Sequence, residues 1–149
     1  ICEANGERSV ENSGSPVQVI GPISESVNGK NKILFIFTVK HVGNGKIFKH
    51  GLSPLCDDSS SANENRVNVK VITNMPGKLS CSGLDQGSDG INGVSGDIRL
   101  SNGERIISCT QEVSDADLGD FEKELRIELR FQYQHSEKTT LIVKHVEQN

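Results

Sequence analysis

The stretch Leu125-Arg126-Ile127-Glu128-Leu129-Arg130-Phe131-Gln132-Tyr133 alternates without a slip, apolar residues at the odd positions and polar ones between them. Successive side chains of a strand point to opposite faces, so a period of two predicts a strand with one face on a core and the other in water. His135-Ser136-Glu137 breaks the pattern and Thr139-Thr140-Leu141-Ile142-Val143 resumes it. The chain is therefore expected to close on a hairpin in which Phe131 faces Leu141, Leu129 faces Val143 and Glu128 lies opposite Lys144. A register shifted by one would turn Lys144 inward and Leu141 and Val143 outward.

The same period recurs upstream. Lys32 to Val42 places Ile33, Phe35, Phe37 and Val39 on one side, and its first half is apolar on both sides, which predicts a central strand covered on two faces there. Gly43-Asn44-Gly45 ends it before Lys46-Ile47-Phe48, and Ser101-Asn102-Gly103-Glu104 joins Gly96–Leu100 to Arg105–Cys109. Both turns carry a hairpin signal. Arg66 to Thr73 alternates through Val67, Val69 and Val71, and Lys78 to Cys81 follows the Met75-Pro76-Gly77 turn. Val17, Val19 and Ile23 predict a first strand, with a bulge or edge position at Gly21-Pro22. Residues 51–65 and 82–93 read as polar loops, and the sole helix candidate is Asp115 to Glu124. About seven to nine strands and no internal repeat predict an all-β fold, a two-sheet antiparallel β-sandwich.

At 149 residues the chain is long enough for one core, read as a polar N-terminal arm over residues 1–16 and a sandwich over 17–149. Its longest apolar run, Ile33 to Phe37, is five residues. A membrane-spanning helix needs roughly 20, so no span is expected. Sixteen Lys and Arg against 20 Asp and Glu give a net charge of −4, which argues against a nucleic-acid partner. The signs are unevenly spread: Lys30, Lys32, Lys40, Lys46 and Lys49 fall in a stretch without acids, and Asp115, Asp117, Asp120, Glu122 and Glu124 cluster late. Two solvated surfaces of opposite sign are the expected reading.

Cys2, Cys56, Cys81 and Cys109 lack the paired spacing of a zinc site. An even count at long spacing reads as two disulfides, as in secreted proteins, with three connectivities open. Cys81 with Cys109 is the preferred pair, because each sits on or beside a predicted strand, leaving Cys2 to tie the arm to Cys56.

Catalytic signatures are sparse. Gly93-Val94-Ser95-Gly96-Asp97 approximates a serine-nucleophile motif, but a Gly-rich loop enters a strand there, not a helix. His41, His50, His135 and His145 have no metal-binding spacing and read as satisfied surface or turn residues. Asp115, Asp117 and Asp120 are the best calcium candidates, since hard oxygens two and three apart in a loop can surround that ion. Capping by Ser114 of a helical turn explains the same acids through the helix dipole. Five Phe, one Tyr and no Trp leave little for a carbohydrate platform, and no Asn-x-Ser/Thr sequon occurs.

The segment Phe35-Ile36-Phe37-Thr38-Val39-Lys40-His41-Val42-Gly43-Asn44-Gly45 resembles the strand and turn core of prokaryotic cell-adhesion-related immunoglobulin-like domains. Together with Leu79-Ser80-Cys81-Ser82-Gly83, Leu100-Ser101-Asn102-Gly103 and the 125–133 strand, the pattern looks like that of secreted archaeal proteins. The absence of Trp departs from antibody-type domains, whose core pins two cysteines on a tryptophan. What the resemblance implies is an immunoglobulin-like sandwich at a cell surface, with no catalytic residues carried over.

The expectation is thus a non-enzymatic, extracellular structural or adhesion module of a cell surface or filament. It would act through protein contacts, above all with copies of itself, and use no cofactor. In a filament the polar arm would add a strand to a neighbour. The alternative is a calcium-dependent ligand-binding module.

Overall fold

The computed structural model describes residues 6–8, 10–27, 31–88, 90–91, 93–113 and 124–143. Among them run twelve strands: β1 (Gly6–Arg8), β2 (Val17–Val27), β3 (Lys32–His41), β4 (Lys46–Phe48), β5 (Arg66–Ile72), β6 (Lys78–Ser82), β7 (Asp85–Ser88), β8 (Gly90–Ile91), β9 (Gly93–Arg99), β10 (Glu104–Glu112), β11 (Arg126–Arg130) and β12 (Gln132–Gln134). Six join in the order β1-β2-β3-β10-β6-β8, four in the order β11-β5-β9-β7, and β12 pairs with β4. Every pairing is antiparallel. The all-β sandwich is the observed fold. Its strand count exceeds the expected seven to nine because β7 and β8 lie in the stretch read as loop, and β1 lies in the arm. That arm adds its strand to β2 of its own chain.

Period-two patterning builds the core. Val67, Val69 and Val71 of β5 are fully buried, as are Phe37 and Val39 of β3, and they meet Val17, Leu79, Val94, Ile98 and Ile107 in one cluster between the sheets. Burying each such side chain contributes roughly 1.5–3 kcal/mol. One polar knot crosses this layer: Thr73, just after β5, donates to Gln111 Oε1 of β10 at 2.6 Å, and Gln111 Nε2 donates to the Gly77 and Glu112 carbonyls at 3.0 and 2.8 Å. Both side chains are buried, and every polar atom of the amide is used. A Cβ at Gly77 would run into the Glu112 carbonyl, so glycine there is a matter of close approach.

Cys81 and Cys109 face each other in the register of β6 and β10 and form a disulfide, with Cα atoms 4.0 Å apart. The bond joins neighbouring strands of one sheet. For a separation of 28 residues the loop-entropy model assigns it about 3.5 kcal/mol. Cys56 is a free, half-buried thiol, and Cys2 lies outside the described residues.

Three turns expected to close hairpins do something else. At Asn102-Gly103 the turn is real: both residues have positive φ, 53° and 82°, and Ser101 and Glu104 exchange two backbone hydrogen bonds. The strands it joins nevertheless part, β9 pairing with β5 and β7, β10 with β3 and β6. At Gly43-Asn44-Gly45 the chain also changes sheet, and β4 pairs with β12. Those glycines do not supply a positive φ; they admit Tyr133, whose hydroxyl accepts from Gly45 N–H at 2.6 Å and whose ring leaves no space for a Cβ there. The closing hairpin is absent altogether. β11 pairs with β5, the chain breaks at Phe131, β12 takes β4 as partner, and residues 135–143 form no strand.

Candidate interaction surface

The register fixes which side chains share the outer face of the six-stranded sheet. Ile20, Thr38 and Ile106 stand in one row across β2, β3 and β10. The next row is Ser24, Ile36, Ser108 and Ser82, and the third is Ser26, Leu34, Thr110 and Ser80. On β2, β3, β10 and β6 these three rows carry no charged residue; Glu7 of β1 stands opposite Ser24 at the end of the second. Charges frame them instead: Lys40 pairs with Glu104 at one end and Lys32 with Glu112 at the other. Ile106 is 63% exposed, and Ile20 and Ile36 are exposed with it. β3 is central in its sheet, as its sequence predicts, but its outer face is uncovered, which corrects the expectation of burial on both sides.

Short hydroxyl side chains knit this face together without adding charge. Ser82 and Ser108 hydroxyls lie 2.6 Å apart across β6 and β10. Branched Ile and Thr suit a pleated surface through their restricted rotamers, so the face is preformed. Its signal in the sequence is faint: the polar half of each alternation in β3 and β10 uses Ser, Thr, Leu and Ile where Lys and Glu would be usual. Only the register shows that these positions adjoin.

On β2 the outer flank is covered by β1 only from Ile23 to Glu25, and a side chain takes over farther along. Beyond β1, the Asn12 side-chain amide bonds both backbone groups of Val19 on β2, accepting from its N–H at 2.9 Å and donating to its carbonyl at 2.8 Å. One asparagine thus imitates one residue of a neighbouring strand. The register shift between Ile20 and Ser24, at Gly21-Pro22, interrupts the same edge.

The polar loop 51–65 folds onto β12. Cys56 N–H donates to Gln132 Oε1 at 2.7 Å, and Gln132 Nε2 donates to the Leu52 carbonyl at 3.2 Å. Within the loop, the Ser59 backbone N–H, followed by the Ser59 side chain, holds the Asp57 carboxyl below the usual carboxylate range. Among the described residues no three His, Cys, Asp or Glu side chains are placed to hold a metal ion. Asp115, Asp117 and Asp120, like the helix expected around them, lie outside the described residues, as does His145. Ser95 sits within β9, paired with Lys70, and not on a strand-to-helix turn. His41 departs from the expected satisfied state: its ring packs edge-on to Tyr133, centroids 6.1 Å apart, and its buried Nε2 has no hydrogen-bond partner. His135 lies 3.5 Å from Glu137.

Among the described residues no helix is long and apolar enough to cross a membrane. No family model, curated protein or solved structure matches the chain.

Proposed function

We propose that this domain is a non-enzymatic extracellular structural or adhesion module that works by protein contact through the outer face of its six-stranded sheet. The observation that carries this reading is the uncharged surface of Ile20, Leu34, Ile36, Thr38 and Ile106 with its surrounding serines and threonines, framed by Lys–Glu pairs. Desolvating such a face requires stripping no ion of its water, while the framing charges fix orientation. The disulfide fits an oxidising, extracytoplasmic setting and keeps β6 and β10 in register beneath the contact. Copies of the same chain are the partner favoured here, as in a surface array or filament.

The test is sedimentation across a concentration series. Ile106→Lys is expected to weaken self-association at least tenfold while leaving the thermal midpoint unchanged, because the side chain is largely in water in the free domain. Lys70→Ala, on the other sheet, serves as the control. Association unaffected by Ile106→Lys would overturn the reading.

A further inference from the structure

The four-stranded sheet ends at β11, and among the described residues no strand lies on its far side. Its apolar row is only half covered: Leu125, Ile127, Leu129, Phe131 and Tyr133 pack against the core yet remain partly exposed, whereas Val67, Val69 and Val71 on the adjacent strand are fully buried. Immediately after β12, Leu141, Ile142 and Val143 stand in solvent at 82%, 79% and 82% exposure. Three consecutive exposed aliphatic residues are costly in water and prone to pairing with an unpaired sheet edge.

We infer that the segment Thr139–Val143 docks as an added antiparallel strand along residues 129–133 of a second copy of this chain, the end of β11 and the start of β12, and the first copy receives the same segment in return. The fit is one of pattern. With Leu141 opposite Phe131 and Val143 opposite Leu129, both apolar side chains fall on the core side and cover the half-exposed row, while Thr140 and Ile142 face outward beside Gln132 and Arg130. This is the pairing that the sequence alone assigns to an intramolecular hairpin, and the chain does not make it with its own edge: residues 135–143 run on without strand pairing. A reciprocal exchange satisfies both copies with the same contacts, which makes the assembly a closed pair. The inference rests on the self-association reading above but uses a different surface.

The test is a cross-link between copies. In a Cys56→Ser background, Leu129→Cys and Val143→Cys are made on separate chains, mixed, and oxidised under native conditions. A covalent heterodimer joining positions 129 and 143 is expected, and Leu141→Lys is expected to weaken dimerisation at least tenfold in sedimentation. Absence of the cross-link would overturn the inference, and so would a chain carrying both substitutions that closes only on itself as a monomer. The two readings separate cleanly. A failed cross-link with association still sensitive to Ile106→Lys removes the strand exchange alone. A formed cross-link with association insensitive to Ile106→Lys removes the face contact alone.

Discussion

The two sheets share one core and treat water in opposite ways. The six-stranded sheet turns an outer face with uncharged central rows to solvent and covers part of β2 with β1 and the Asn12 amide. The four-stranded sheet has the reverse arrangement. Arg66, Lys70, Asp97, Arg99, Arg126, Glu128 and Arg130 occupy its outer positions, Asn68 donates to Asp97 at 2.9 Å, Lys49 lies 3.9 Å from Asp97, and its β11 edge is open. A charged face resists desolvation and so guards itself, which leaves the edge as the place where that sheet can pair. An uncharged face does not, and a sheet presenting one contacts best when its edge cannot compete. Under the two proposals above, one molecule would hold two contact modes, face to face on one sheet and edge to strand on the other.

The largest way to break this contrast is to release the six-stranded sheet's covalent tie. Replacing Cys81 and Cys109 by alanine is expected to lower stability by about 3.5 kcal/mol in urea unfolding, since the 28-residue loop is then unconstrained in the denatured chain. Next comes the knot between the sheets. Gln111→Leu removes the acceptor of the Thr73 hydroxyl and the donor to the Gly77 and Glu112 carbonyls, at a cost of about 1–3 kcal/mol. The equivalent cut on the wet side, Asn68→Ala, is expected to stay within about 0.5 kcal/mol. A further substitution sharpens the edge comparison. Asn12→Ala costs about 0.5–1.5 kcal/mol for the lost hydrogen bonds, and it uncovers the N–H and carbonyl of Val19. Hydrogen exchange at Val19 should rise, and light scattering should report an association mode that the native chain lacks.

Much of this was legible in the residues. Alternation located β3, β5, β10 and β11 and assigned the buried sides of β5 and β11, because burial on one face leaves a direct imprint of period two. Turn chemistry was legible too, in that Asn102-Gly103 adopts the left-handed pair its composition demands. Pairing was not. A turn specifies the angle through which the chain reverses locally, and whether the two strands then stay together depends on which sheet each one's apolar face must reach. Gly45 misleads for a related reason, its lack of a side chain answering to Tyr133, 88 residues away. The contact face escaped for want of register: Ile20, Ile36 and Ile106 become neighbours only once β2, β3 and β10 are aligned.

The parting of β9 and β10 at Asn102-Gly103 also bears on how fast the domain can form. Because β10 does not fold back on the strand before it, its central partner is β3, residue 104 meeting residue 40 and residue 112 meeting residue 32. The longest ladder in the molecule must therefore close across most of the intervening chain before any of its hydrogen bonds reward the lost entropy. Folding on the millisecond-to-second scale of other high-contact-order β domains follows, with a long interval in which the β3 and β10 apolar rows are exposed together.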